Sequence, residues 1–497
     1  MPPWARPAFR PIGLRMAISV NICASVTMAS HSTGAPLRCP GPKSGASSCI
    51  RPTKRLLSLR VNTLNALLTP SWLETLRIGT LYLLALSLFL VPVGVGGGLA
   101  LVWVWMAAAM IVRHPVPTHP AVWLALSFAL YCLVQAGIPR LVVDDPGLRW
   151  GTAWSWAQIV VFVPVAYALR GDQRLVLRLL LTSLIGLLLG MIWRTDWALL
   201  IQSPAAFADS RPGFGFPTLA YALFAGTALL GLVILRRRCW YDSAGRLRWW
   251  ALLPWTFATL VVAEGVVLSQ ARGSWLSLVL VTLIGVGVWW LRQRRRGGAL
   301  PRAKIAAVLA ALLLLIGLNS NEIVDRLNEE RAVVDQLLEG ELLTDEITSL
   351  TLRWHALVLG LERWQERPWF GWGPGASRPL MADSNEPGLL YPEPDGSVLK
   401  HLHNSYLELM VQLGLIGLGL WLAVAVLLLL GLYRLVQRGE LSADLGWFLG
   451  LALLYLAFWS HFNFRMVNQD FRGYWSLLAG AALSFSLYRG GGSPSLR

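Results

Sequence analysis

The chain has 497 residues, of which 55% are hydrophobic and only 14% charged, with a mean hydropathy of +0.54 and a net charge of +16. A soluble domain is about a quarter charged, so a water-facing globular protein is excluded and lipid must solvate much of the surface. The Leu, Ala and Val residues form long runs without alternation, which argues helices and not a β-barrel.

Residues 1–70 differ from the rest, being rich in Pro, Ser and Arg without a sustained period. Met16 to Ser30 faintly resembles a signal peptide, but Asn21 interrupts its short apolar stretch. The expectation is a disordered tail, or an open reading frame started too far upstream. Apolar runs then follow at 76–92, 95–112, 121–139, 152–169, 174–193, 216–235, 249–269, 274–292 and 303–319. After a polar stretch come 404–433, 443–461 and 472–488, giving about twelve transmembrane helices by the length rule. The expected organisation is a tail over 1–70, helices one to nine over 71–319, a helical loop over 320–402, helices ten to twelve over 403–490, and a tail over 491–497. The cysteines, Cys23, Cys39, Cys49, Cys132 and Cys239, have no metal-site spacing and suggest no disulfide.

Loop charge sets the orientation. With the N-terminal tail inside, the alternate loops hold Arg113, then Arg170 and Arg174, then Arg236, Arg237, Arg238, Arg246 and Arg248. The series continues with Arg292, Arg294, Arg295, Arg296, Arg302 and Lys304, and with Arg434 and Arg438. The opposite loops carry far fewer cations per residue, so both termini are expected in the cytoplasm. The excess positive charge is thereby explained by topology, and nucleic-acid binding is not expected.

The stretch 320–402 is then outside. Ile323, Val324, Leu327, Val334, Leu337 and Leu338 predict one amphipathic helix. Leu350, Trp354, Leu357, Leu361 and Trp364 predict a second. Pro368 to Gly375 ends the second in a rigid turn.

Few ionisable residues fall on the outer side near membrane level. They are Arg211, Arg272, His403, Arg465 and Arg472, with Arg353 on the second amphipathic helix. A histidine at a helix start is ordinarily a cap or a solvated group, but His403 has company. His403-Asn404, nine residues, Gly414, two residues, then Gly417 form the pattern His-(Asn/Ser/Gln), nine, Gly, two, Gly/Thr/Tyr. Arg272 to Leu276 supplies Arg-x-x-x-Leu, and Arg211-Pro212-Gly213-Phe214-Gly215 is a weaker mark.

In this topology, those residues resemble the bacterial O-antigen ligase family, within the wider O-antigen ligase/polymerase and protein O-oligosaccharyltransferase superfamily. The resemblance covers about 75–490. It implies an all-α integral membrane protein of glycosyltransferase C-like fold, with about twelve transmembrane helices and one large periplasmic loop. It also implies transfer of undecaprenyl-pyrophosphate-linked O-antigen to a sugar of lipid A-core, at the periplasmic face of the bacterial inner membrane, with inversion and without metal or other cofactor. The partners expected are thus the lipid-linked donor, the lipid A-core acceptor and membrane lipid.

The residue chemistry fits that expectation. A diphosphate is gripped by planar guanidinium forks, a task for Arg211 and Arg272. An acceptor hydroxyl needs one base, for which His403 is the candidate, with Asn404 orienting it or holding a sugar. Arg353, Arg465, Arg472 and Tyr406 are further substrate-binding candidates, though interface anchoring of the arginines and packing of Tyr406 and Glu408 are alternatives. His401-x-His403 with Asp383, Glu386, Glu393 and Asp395 nearby lacks any recognised metal pattern, so no metal is expected. A protein O-oligosaccharyltransferase is the nearest rival; such enzymes look longer at the C-terminus, whereas only about ten residues follow the last run here. An O-antigen polymerase is the next, usually with two sizeable periplasmic loops. A transporter or flippase would show repeats and midplane charges, which the sequence does not.

Overall fold

The computed structural model describes residues 71–91, 94–112, 118–138, 145–242, 244–295, 349–384 and 400–488, with the isolated positions 317 and 324. Apart from one bridge pair, Tyr241 with Leu247, no strand occurs among them. The N-terminal tail, the predicted ninth span at 303–319 and the first amphipathic helix lie outside the described residues. So do Glu386, Glu393 and Asp395.

In chain order the helices are α1 (Ser71–Leu90), α2 (Gly94–Ile111), α3 (Pro120–Gly137), and α4 (Pro146–Ala157), which runs through a tight turn of 3-10 helix at Gln158–Val161 into α5 (Phe162–Leu169). Then come α6 (Gln173–Arg194), the short α7 (Trp197–Gln202) and α8 (Pro204–Asp209), α9 (Thr218–Ile234), the short α10 (Arg236–Trp240), α11 (Trp249–Leu268) and α12 (Arg272–Arg295). The last are α13 (Ser349–Glu366), the short α14 (Ser377–Ala382), α15 (Ser405–Gln437), α16 (Ala443–Trp459) and α17 (Gln469–Leu487). Every predicted apolar run except the ninth therefore coincides with a helix. Among the described residues, eight spans are long and apolar enough to cross a membrane; α4 to α5 is one of them. The apolar helices α9 and α16 are shorter.

The bundle centres on α17, which packs against α5 and α15. Its sequence supplies Ser476, Ala479, Gly480, Ala481, Ala482 and Ser484, all buried. Small residues let backbones approach where lipid removes the hydrophobic drive between helices. A methyl on Gly480 would stand 2.8 Å from Val165 Cγ1 of α5, whose eight residues are all buried.

The two ends of the bundle differ. At the arginine-rich end Arg170 pairs with Glu74 at 2.5 Å, and Arg238 takes Asp444 with both arms of its fork, at 2.5 and 2.7 Å. At the opposite end Arg194 closes α1: its Nη1 donates to Phe89 O at 3.0 Å and its Nη2 to Leu90 O at 2.7 Å. These are last-turn carbonyls that a helix leaves unpaired.

The second amphipathic helix is present as α13, and its docked face coincides with the expected one only in part, at Leu357 and Trp364. Ala356 and Leu359 are buried, whereas Trp354 and Leu361 are exposed. Gly360 explains the difference: a methyl there would stand 2.9 Å from Leu407 Cγ, so α13 docks on α15 through its smallest residues. Leu359 is buried beside them and Leu357 and Trp364 pack partly against the same cluster, while Trp354 and Leu361 face outward.

Candidate functional site

The site is built around a break in α15. Gly414 has φ 66° and ψ −171°, a region essentially reserved for glycine. The break frees backbone groups that must find partners in an apolar setting. The Pro368–Gly375 turn provides them. Trp372 N donates to Val411 O at 2.7 Å and Gly373 N to Gln412 O at 2.9 Å. Leu415 N donates to Pro368 O at 2.8 Å and Ile416 N to Trp369 O at 3.3 Å. Tyr131 of α3 donates its hydroxyl to Leu413 O at 2.7 Å. The glycine of the sequence pattern is therefore a place where loop backbone is threaded into a helix. Gly417, three residues on, packs closely over Leu413.

Asn404 opens the helix as its N-cap, with Oδ1 accepting from Tyr406 N at 3.0 Å and Leu407 N at 3.1 Å. Before it, His403 sits at φ 55°, uncommon for a residue other than glycine. The bend is pinned on both sides. Leu402 N donates to Glu408 Oε2 at 2.9 Å, while Ser405 N reaches Ser460 O at 2.9 Å and Ser405 Oγ reaches Asn463 O at 2.6 Å.

In this bend the rings of His401 and His403 lie 4.4 Å apart, edge to face, with Phe464 5.5 Å beyond His401. Burial is the main cause that lowers the His403 pKa to about 3, assisted by His401 and Arg353. His401 falls to about 4, again through burial, then Arg465, with a smaller push from Lys400. The base expected to titrate near neutrality is thus held neutral far below it. The cause is visible: two histidines sharing a half-buried bend among cations.

The arginines assemble at the same end. Arg211 (φ 51°) and Gln270 (φ 49°) each occupy a left-handed turn. Arg211 N at 3.1 Å and Gln270 Nε2 at 3.3 Å both donate to Ala208 O, so the two turns lie side by side. Arg272 follows at the start of α12. The next residue, Gly273, is close enough to Phe462 that a methyl would stand 2.7 Å from its Cβ. Phe462 belongs to the turn that pins Ser405. Side-chain and backbone contacts therefore link the Arg211 turn, the Arg272 turn, the 460–468 turn and the histidine bend.

Of the remaining candidates, Arg465 and Tyr406 have structural partners of their own. Arg465 pairs with Asp470 through Nε at 2.9 Å and Nη2 at 2.8 Å. Arg472 lies in the first turn of α17, half-buried, its Nε without a hydrogen bond among the described residues. Tyr406 donates its hydroxyl to Ala457 O at 2.8 Å and stacks 4.6 Å from His461, a packing role. Among the described residues no group of three His, Cys, Asp or Glu could hold a metal ion. An apolar cavity of about 270 Å³ lies elsewhere, between α1, α6, α9 and α17, and none of the predicted site residues lines it.

Sequence reading missed Arg194, which also stands over Phe216 at 5.6 Å and steadies the Arg211–Phe216 segment. It gave Gln412 no role. The available signal was a Glu and a Gln four apart inside an apolar run, since buried polar groups in membrane helices persist only with partners.

Residues 257–422 match the family model described as O-antigen ligase. The match takes in Arg272, Arg353, His403, Asn404 and Tyr406, and leaves Arg211, Arg465 and Arg472 outside it. No curated protein matches the chain.

Proposed function

Because residues 257–422 match the O-antigen ligase family model, we propose that the chain belongs to that superfamily and is the ligase itself. In this reading it moves an O-antigen glycan from undecaprenyl diphosphate to a sugar hydroxyl of lipid A-core, at the periplasmic face of the inner membrane. The observation that carries the reading is the gathering of His403 with a set of arginine-bearing turns at the end of the bundle opposite the Arg170 and Arg238 ion pairs.

Arg272 and Arg211 grip the diphosphate with their planar forks. The acceptor oxygen attacks the anomeric carbon as the bond to diphosphate breaks, and the configuration inverts. Charge grows on the leaving diphosphate, so fixed guanidinium groups favour the transition state over the ground state. His403 takes the acceptor's proton. In the resting site it is a neutral imidazole, available to accept that proton but weak as a base. A diphosphate bound among the arginines offsets the smaller, Arg353 part of that depression, while the burial that causes most of it remains. The Asn404 Oδ1 is committed to the helix, which leaves its amide NH₂ to meet a sugar hydroxyl.

The test is a strain lacking the gene. Its lipopolysaccharide should lose the O-antigen ladder on a gel while lipid-linked glycan accumulates, with rescue by the wild type and not by His403→Ala. A full ladder in the deletion strain would overturn the reading. Loss of glycosylated protein with an intact ladder would make the chain a protein O-oligosaccharyltransferase.

A further inference from the structure

Two polar side chains lie inside the apolar body of α15, and the transfer chemistry does not use them. Glu408 is 1% exposed and Gln412 is 3% exposed. Glu408 Oε2 accepts the Leu402 N–H at 2.9 Å, and that peptide lies between the two histidines. Glu408 Oε1 accepts from Gln412 Nε2 at 2.6 Å. Gln412 uses the rest of its capacity on two other elements. Its Nε2 also reaches Ser377 Oγ at 3.3 Å, and its Oε1 accepts from Trp156 Nε1 at 2.9 Å and Gly375 N at 3.0 Å. Every hydrogen-bonding position of the amide is filled.

We infer that Glu408 is a positioning residue, which holds the left-handed bend at His403 through the Leu402 amide and is itself fixed by Gln412. The bend needs such a tether. A histidine at φ 55° costs free energy relative to an ordinary conformation and persists only where its surroundings impose it. Leu402 is buried against Ala356 and Leu359 of α13 and Leu407 of α15, so its side chain and its amide are held together. The pair thereby connects the histidines to α4, to the Gly375–Ser377 turn and to the kinked helix. A shift in α4 or in that turn reaches the Leu402 amide beside His403 through three hydrogen bonds in series. The inference rests on His403 acting as the base.

Two variants in lipid nanodiscs test it, each assayed for ligation of undecaprenyl-diphosphate-linked glycan to lipid A-core. Glu408→Leu keeps bulk but accepts nothing. It should lower kcat on the order of 10²-fold with little change in KM for the donor, as expected when geometry alone is lost. The exchange Glu408→Gln with Gln412→Glu restores an acceptor for Leu402 and a donor–acceptor match within the pair, and should recover most of that loss. Carbethoxylation of His401 and His403 by diethyl pyrocarbonate, read by mass spectrometry, should quicken in Glu408→Leu and return to wild-type rate in the exchange. Unchanged kcat and unchanged reactivity in Glu408→Leu would overturn the inference. If Glu408→Leu fails to fold, a well-folded but inactive exchange variant overturns it and an active one supports it. An active His403→Ala would instead defeat the functional reading, while the histidine reactivities would still report on the tether.

Discussion

Replacing Gly414 by alanine should cripple the protein out of proportion to one methyl group. The residue sits at φ 66° and ψ −171°, where a side chain costs about 1–3 kcal/mol. The added methyl also runs into the carbonyl of Trp369. That carbonyl accepts from Ile416 N, and its neighbour Pro368 O accepts from Leu415 N. Displacing the turn sacrifices both bonds, each worth about 1 kcal/mol net. The sum is about 3–5 kcal/mol. Gly419 is the control, helical and with nothing near its would-be methyl. Alanine there should be neutral or stabilise by about 0.5–1 kcal/mol. Thermal melting of the two variants in one detergent, followed by size-exclusion chromatography, makes the comparison. Equal melting temperatures would refute the account of the break.

Arg272→Lys keeps the charge and loses the planar fork, so its turnover should be nearly as low as that of Arg272→Ala; recovery by lysine would replace the clamp with simple attraction. Stability should fall in acid. His401 and His403 titrate near 4 and 3 in the folded chain against 6.5 ordinarily, so the unfolded chain binds more protons below about pH 6.5. Their contribution is complete above that value and is lost progressively towards pH 4 and 3. The melting temperature should drop between about pH 7 and pH 4.5, less steeply in a His401→Gln/His403→Gln protein, and equal slopes would contradict this. Ligation should survive excess EDTA, since the sequence holds neither an Asp-x-Asp nor a His-Glu-x-x-His pattern; abolition with rescue by one divalent ion would show otherwise.

Helix positions were legible because apolar length is a one-dimensional property: α1, α6, α11 and α15 could be placed by counting. The face of α13 was legible only in part. Leu357 and Trp364 pack as the period implies, but the close approach to α15 comes from Gly360 and Ala356, residues too small to register as apolar signal. At the site, the His403-Asn404 pattern identified the right bend, and Gly414 and Gly417 were visible as spacing without a reason. The reason is long-range, since the Pro368–Gly375 turn satisfies a helix break some forty residues later in the chain. Glu408 and Gln412 escaped for the same cause. Their partners Leu402, Gly375 and Trp156 come from three separate segments. The depressed basicity of His403 is likewise a property of burial and neighbours, which no local pattern records.

The role of His403 is tested most directly by the ligation rate of purified His403→Gln, measured beside its affinity for undecaprenyl-diphosphate-linked glycan. Glutamine keeps the size and hydrogen bonding but accepts no proton near neutrality. Turnover should fall by about 10²–10⁴-fold, as for loss of a general base, with donor binding retained. His401→Ala should stay within a few-fold of wild type. Near-normal turnover in His403→Gln would contradict the reading and leave the histidine a positioning or phosphate-binding group.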